Sequence, residues 1–335
     1  MPVSAGERLR ATELSVDHLG AVRVALDPYI SVLALVTDAL GRRRGAPPAW
    51  RRRVLASLSP GSARALLPIT SPRYSVTPDC VTPLNPASEI SVGEQVEWLH
   101  AISDDELLND IHTVFGPTPP PHWRNALRRP RAWLDAYAGA MGEAWRSIEP
   151  LWAQAHPLLE REVERVGAAV MRGGLDLVLD RLHPASRFGN GVLAIVDPEP
   201  ARFALGGRPL VLVPMLSGNR ALICNLERPD AVWIGYPLPA ASDLSRPPGK
   251  PGRAHGDLLE SVAGPVRAQI LRAAGRPVTM TDLARAARLV PSALTYHCER
   301  LAAAGLIRRE RHGRQVWVTR TSRGTELIAL LTQQD

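Results

Sequence analysis

The chain has 335 residues, of which 45% are hydrophobic and 22% charged, so it has enough apolar residues for a large globular core. Its apolar runs are shorter than the roughly 20 residues of a membrane-spanning helix. The charged residues Glu7, Arg8 and Arg10 stand where a secretory signal would be apolar. Three widely spaced cysteines exclude a disulfide-stapled scaffold. We therefore expect a cytoplasmic protein of two or three domains without membrane contact.

The net charge of +7 is unevenly distributed along the chain. Residues 253–323 contain 13 arginines and 5 acidic residues, a balance of +8, which leaves −1 for the rest of the chain. Positive charge confined to one segment favours a partner that carries phosphates. The main alternative for an arginine cluster is a solvated surface.

The first half of the chain is predicted to be mainly helical. Asp17 and Asp27 are both candidate helix caps, with Pro28 at a first helical position, and residues 103–106 (SDDE) mark another helix start. The most helical stretch is 130–182, which Pro150 and Pro157 should kink or divide. Aromatic side chains recur along it at roughly helical spacing: Trp133, Tyr137, Trp145 and Trp152. Such rings usually form a core, and the alternative is a pocket for a small planar or apolar effector.

From Val192 onward the apolar period changes to about two residues, which indicates short strands. Five runs, 192–196, 202–205, 210–214, 221–225 and 231–236, indicate these strands, and glycine-containing turns occur at 189–191, 206–207 and 217–219. They predict a small antiparallel sheet beside the helices, which makes residues 1–240 an α+β domain that is mainly α. Residues 241–256 have a linker composition, and residues 257–335 form a second domain.

The second domain contains two short helical patterns, a tight turn and a basic hairpin. The first helix begins at Thr279 or Thr281, with Leu283, Ala286 and Ala287 facing inward. The second helix, 291–304, has a buried stripe of Leu294, Cys298 and Leu301. The hairpin turns at His312 and Gly313, and its second strand sets Val316 and Val318 opposite Gln315, Trp317 and Thr319.

This order of elements is that of a winged helix-turn-helix, whose second helix enters the DNA major groove. Polar side chains on the outer face of helix 291–304 would contact base edges. Arginines of the hairpin, the wing at 308–319, would contact phosphates or a minor groove. The candidate DNA-binding residues are Ser292, Thr295, Tyr296, Glu299, Arg300, Arg308, Arg309, Arg311, His312 and Arg314.

Several short motifs of this segment resemble the winged helix of the ArsR-like repressors. The first helix is represented by residues 264–267 (GPVR) and the second by 280–284 (MTDLA); 291–295 (PSALT) and 304–307 (AGLI) represent the recognition helix and its exit. Arg288 stands where that family often has glycine, and Val290 where it has a Ser or Thr cap. The cysteine motif of its metal sensors is missing, so we interpret Cys298 as a core residue.

A looser resemblance concerns the preceding domain. Trp145, Trp152, the helix at 160–170, residues 209–214 (PLVLVP) and residues 235–237 (GYP) are similar to an uncharacterised domain that precedes ArsR-like winged helices in actinobacterial regulators. The resemblance implies a sensing or dimerising domain and no catalytic residues.

Together these patterns predict a sequence-specific transcriptional regulator, a repressor by its resemblance, that binds double-stranded DNA as a homodimer. The alternative is a winged-helix interaction module that binds an acidic protein. The sequence has no P-loop, Rossmann, nucleophile-elbow or HExxH motif. We therefore expect neither an enzyme nor a cofactor or metal site, with a small-molecule effector left open.

Overall fold

The computed structural model of the chain describes residues 11–16, 22–41, 44–70, 77–82, 85–88, 90–197, 199–239, 241, 244, 258–287, 289–313 and 315–332. The chain divides into two compact units. The first unit comprises residues 1–167 and 182–246, and the second comprises 168–181 and 247–335. Most of the predicted linker 241–256 lies outside the described residues, and the predicted domain boundaries stay a prediction.

The chain before residue 182 is dominated by helices. Several begin as the sequence predicts: Asp27 caps the first, and Ser103 accepts the Glu106 N–H at the start of the fifth. The helices are α1 Pro28–Leu40, α2 Pro48–Ser57, α3 Pro60–Leu66, α4 Val92–Ala101, α5 Asp104–Phe115, α6 Arg124–Arg128, α7 Pro130–Met171 and α8 Leu175–Asp180.

Helix α7 runs for 42 residues through both of its internal prolines. The prediction that they divide this stretch was wrong. Both Pro150 and Pro157 are exposed, while a stripe on the other face stays buried across them: Ala144, Ile148, Leu151, Ala155 and Leu159. Each proline removes a backbone hydrogen bond from the helix, and burial of this continuous apolar stripe offsets that loss.

The first unit contains two four-stranded mixed sheets, so the α+β class is confirmed but the single antiparallel sheet is not. One sheet has the order β3-β4-β1-β5 and the other β2-β6-β8-β7. The strands are β1 Ala11–Ser15, β2 Val22–Val24, β3 Ser186–Gly189, β4 Val192–Val196, β5 Arg202–Ala204, β6 Leu210–Met215, β7 Ile223–Asn225 and β8 Val232–Pro237.

The parallel pairing in these sheets explains the difference from the prediction. Strand β1 pairs with β5 in parallel, and β6 pairs in parallel with both β2 and β8. All residues of β6 and β8 are buried, and strands buried on both faces have continuous apolar sequences rather than alternating ones. The runs LVLVPM and VWIGYP carry this signal.

The core of the first unit is built around the aromatic rings of α7. Trp133 and Tyr137 are fully buried and stack with their ring centroids 5.1 Å apart. Trp133 Nε1 donates to the carbonyl of Ala65 (3.1 Å), and the Tyr137 hydroxyl donates to the carbonyl of Val81 (2.9 Å). These bonds satisfy both polar atoms inside the core, as buried aromatic residues require.

The second unit contains helices α9 Leu258–Ala263, α10 Pro265–Ala273, α11 Met280–Ala287, α12 Pro291–Ala303 and α13 Ser322–Thr332. Its strands are β9 Val278–Thr279, β10 Ile307–His312 and β11 Gln315–Arg320, which form an antiparallel sheet with β11 in the centre. The second unit also includes the last residues of α7 and the whole of α8. None of the helices in the described ranges is long and apolar enough to span a bilayer.

Asp27, the cap of α1, is buried in the first unit. Its carboxylate accepts the backbone N–H groups of Tyr29 (2.8 Å) and Ile30 (3.4 Å). Burial raises the pKa of Asp27 from 3.8 to about 7, against the lowering effect of the two hydrogen bonds. The ionised carboxylate is therefore less favourable in the folded protein than in the unfolded chain.

The raised pKa predicts a pH-dependent stability difference between the wild type and Asp27→Asn. The stabilisation linked to proton uptake by Asp27 is fully present below its unfolded-state pKa of 3.8 and is lost as the pH rises through about 7. The loss should amount to at most about 4 kcal/mol. Denaturant unfolding followed by circular dichroism between about pH 4 and pH 8 measures it.

Asp105→Asn is the matched control, because Asp105 is exposed in the first turn of α5. Its pH profile should follow that of the wild type. An unchanged profile for Asp27→Asn would contradict the prediction.

Candidate nucleic-acid interface

Helix α11 begins at Met280 because Thr279 caps it. The Thr279 hydroxyl accepts the N–H of Asp282 (3.2 Å) and donates to the Asp282 carboxylate (2.7 Å). Leu283 is buried as predicted, but Ala286 is exposed and Ala284 takes the buried position. The inward face is therefore rotated from the predicted one.

The turn between α11 and α12 is held by backbone bonds. Leu289 N donates to the carbonyl of Ala284 (3.0 Å), and Leu294 N donates to that of Val290 (3.1 Å). Val290 occupies the cap position of α12 without a side-chain hydrogen bond, and Pro291 follows it at the first helical position. Arg288 lies outside the described residues.

Helix α12 has one fully buried face, as its apolar spacing predicts. Leu294, Cys298 and Leu301 pack in the core of the second unit with Leu283 and Val318. Burial raises the pKa of the Cys298 thiol to about 11, so the thiol stays protonated near neutral pH. The stripe fixes the rotation of α12 and hence which residues face outward.

The opposite face of α12 is polar and accessible. The exposed candidates on it are Ser292, Tyr296, Glu299 and Arg300, with Thr295 partly buried beside them. The Thr295 hydroxyl donates to the carbonyl of Pro291 (2.9 Å), and its oxygen keeps the capacity to accept a further hydrogen bond. The Tyr296 ring is 54% exposed and lies edge-on to His297, with ring centroids 5.4 Å apart.

The wing is formed by β10 and β11, with Arg311 opposite Val316 and His312 opposite Gln315. Gly313 begins the connection with a positive φ of 57°, a conformation that favours glycine. The turn therefore begins where the His-Gly pair predicts it.

Ion pairs divide the wing arginines into two groups. Arg308 pairs with Glu310 (2.6 Å), and Arg309 pairs with Glu299 of α12 (3.6 Å). Arg311 is exposed and donates to the carbonyl of Gly313 (3.2 Å), and no carboxylate of the described chain pairs with it. Arg314 lies outside the described residues.

His312 has acidic neighbours on two sides. Its Nδ1 lies 3.5 Å from Oδ2 of Asp176, and its Nε2 lies 3.8 Å from Oε2 of Glu310. Asp176 was not a candidate from the sequence, because it lies far from the wing along the chain.

Trp317, Val318 and Thr319 are buried and Val316 is partly buried, so the alternation along this strand does not separate a buried face from an exposed one. Strand β11 is the central strand of its sheet, and its second face is covered as well. Gly174 lies against the Trp317 ring. Alternation along a strand shows which residues share a face of the sheet. It does not show whether a segment from elsewhere in the chain buries the second face as well.

The four aromatic residues proposed for an effector pocket have different environments. Trp133 and Tyr137 are fully buried core residues, whereas Trp145 and Trp152 are partly buried against the same core. A groove of about 700 Å³ in the first unit is lined by other residues: Arg23, Val24, Ala25, Leu26, Ala87, Glu160, Val163 and Glu164. An effector site at Trp145 and Trp152 stays a prediction.

Residues 268–315 match the family model described as MarR family. Neither a curated protein nor a solved structure shows a significant match to the chain. The matched stretch includes α11, α12 and β10, the elements whose geometry is given above. It supports the winged helix-turn-helix but not the ArsR-like subtype in particular. This part of the chain is a winged helix-turn-helix of the kind found in DNA-binding transcription regulators.

Proposed function

We propose that the protein is a sequence-specific transcription regulator that inserts α12 into the major groove and holds the DNA backbone or minor groove with the wing. The observation that carries this proposal is the division of α12 into two faces. Its apolar face is buried in the helix-turn-helix core, while its polar face is accessible next to the basic hairpin. A helix with this arrangement can enter a groove while its apolar face stays packed in the core of the unit.

Side chains on the exposed face of α12 suit contacts with base edges. Ser292 lies in the first turn, the end of a recognition helix that usually contacts bases. Arg300 is a candidate for guanine or phosphate, and the Thr295 methyl group suits the thymine methyl. Tyr296 offers both an apolar ring and a hydroxyl.

Within the wing, Arg311 is the best-placed phosphate contact. It is exposed without a carboxylate partner in the described chain, whereas Arg308 and Arg309 pair with acids. The Arg309–Glu299 pair links the wing to α12 and suits a role in holding the two together. An unpaired arginine exchanges only water and counter-ions when it meets a phosphate.

The protein acts as a homodimer in this proposal, because two helices in successive major-groove turns multiply the contacts of one. Leu330 of α13 and Val262 of α9 are exposed apolar side chains of the second unit that suit a contact with a second copy. An ArsR-like repressor in the cytoplasm, with its first unit binding an effector or assisting dimerisation, is the finer form of the proposal.

Fluorescence anisotropy tests the proposal directly. The duplexes are one from upstream of the protein's own gene and a scrambled duplex of equal composition, across a salt series. Tighter binding to the first supports sequence-specific recognition. Equal, steeply salt-dependent binding to both would reduce the proposal to a phosphate-binding patch, and no binding to either would favour an acidic protein partner.

Replacing Arg311 by alanine should weaken binding to both duplexes by the same factor, because a phosphate contact carries no sequence information. The slope of log affinity against log salt should decrease by about one. Arg202→Ala is the charge-matched control, since Arg202 is exposed on β5 of the first unit, and its slope should equal that of the wild type. Unchanged binding by Arg311→Ala would exclude Arg311 as a phosphate contact.

Replacing Tyr296 by alanine should change sequence preference rather than the salt slope. We expect a loss of about 1–3 kcal/mol on the preferred duplex with little change on the scrambled one. Tyr296→Phe keeps the ring and removes the hydroxyl, so comparing the two variants separates apolar contact from hydrogen bonding. An equal loss on both duplexes would show that Tyr296 does not contribute to specificity.

A further inference from the structure

The segment Ala168–Arg181 belongs to the DNA-binding unit although it lies far ahead of that unit in the sequence. It contains the end of α7, a turn at Gly173 and Gly174, and helix α8. Three of its residues contact three separate parts of the winged helix-turn-helix.

Gly174 makes the closest of these contacts. A Cβ atom at this position would overlap Cζ2 of Trp317 and lie 2.6 Å from Cε2 and 2.7 Å from Cη2. The backbone of Gly174, with φ −107° and ψ 19°, requires no glycine. Glycine is therefore required at position 174 by the close contact with the ring, and not by the backbone conformation of the turn.

The contact closes the outer face of the wing sheet. Trp317 lies on β11 beside Val318, which packs into the helix-turn-helix core on the opposite face. Trp317 is 3% exposed, and its Nε1 has no hydrogen-bond partner within the described ranges. Its indole is thus held by packing. A side chain at position 174 would push this large apolar ring out of its packed position.

Arg172 contacts the start of α11. Its Nη1 donates to Oδ2 of Asp282 (2.6 Å), the same carboxylate oxygen that accepts the Thr279 hydroxyl. Burial acts to raise the pKa of Asp282, but the hydrogen bonds from Thr279 and Arg172 and the charges of Arg172 and Arg285 lower it below its ordinary value. Arg172 therefore stabilises the charged form of the residue that Thr279 uses to begin α11.

Asp176, in the first turn of α8, contacts the tip of the wing. Its Oδ2 lies 3.5 Å from Nδ1 of His312, the last residue of β10. The wing is otherwise joined to the rest of its sheet through β9, which pairs with only Trp317 and Val318 of β11. The Asp176 contact therefore adds to the other contacts that orient the hairpin, which include the Arg309–Glu299 pair and the packing of Val318 in the core.

We propose that Arg172, Gly174 and Asp176 are positioning residues that set the wing of the DNA-binding unit. This inference rests on the proposed function for its meaning in DNA binding, but the contacts themselves are independent of it. In this arrangement the wing presents Arg311 to the backbone because its outer face is fixed by the 168–181 segment. The segment continues α7, whose preceding residues belong to the first unit.

The test uses Gly174→Ala in the full chain. Gly167→Ala is the matched control, since Gly167 is a glycine of α7 where an added Cβ would meet no other atom within 4 Å.

Hydrogen exchange of peptides covering 307–320 is measured beside binding to the two duplexes. Gly174→Ala should speed exchange of the wing by about tenfold or more, with exchange of 130–160 unchanged. Affinity for both duplexes should fall about fivefold or more with the preference between them retained. Gly167→Ala should match the wild type.

A second-site variant separates positioning from general damage. Trp317→Phe shortens the ring that a Cβ at position 174 would meet, and it loses no hydrogen bond of the described chain. The double variant Gly174→Ala with Trp317→Phe should recover wing protection and affinity relative to Gly174→Ala alone, which is a non-additive result. Additive losses would overturn the proposal.

Arg172→Ala keeps the test decisive if Gly174→Ala does not fold. It removes one ion pair without steric overlap and should speed exchange in the wing and around Asp282 while the first unit stays protected. Wild-type exchange at 307–320 in the variants would refute the positioning role. If the wild type bound neither duplex, the proposed function would fail, while the exchange data would still decide whether these residues hold the wing.

Discussion

The burial of one face of α12 is the constraint on which the DNA-binding unit depends. Leu294, Cys298 and Leu301 occupy the core together with Leu283 and Val318, so three elements share the same apolar interior. Because these side chains fix the rotation of α12 about its axis, they also decide that Ser292, Tyr296 and Arg300 stay outside. The outward position of the polar residues in the candidate interface is thus a consequence of how the apolar face of α12 packs.

Electrostatic pairing gives the wing residues different roles. Two arginines are joined to carboxylates, one within the hairpin and one to α12, whereas Arg311 has no such partner in the described chain. A paired arginine must give up its carboxylate before it binds a phosphate, while an unpaired one gives up only water and ions. Charge counts along a sequence therefore overstate the number of cations available to DNA.

The second face of β11 connects the wing to a part of the chain that its sequence does not suggest. Trp317 is buried, and Gly174 lies in close contact with its ring. The same segment places Arg172 at the beginning of α11 and Asp176 at the wing tip. The unit that contains the helix-turn-helix therefore includes residues 168–181 as well as the C-terminal stretch.

By itself the sequence determined what depends on neighbouring residues: the buried stripe of α12, the hairpin turn at Gly313 and the α+β class, while it left the cap of α11 open between Thr279 and Thr281. These follow from side-chain period, capping chemistry and glycine conformation, which act over a few residues. The tertiary structure alone decided the mixed sheets, the passage of α7 through its prolines, the arginine pairs and the burial of Trp317. Each depends on contacts between residues far apart in the chain, and a local period carries no information about which distant segment meets which face.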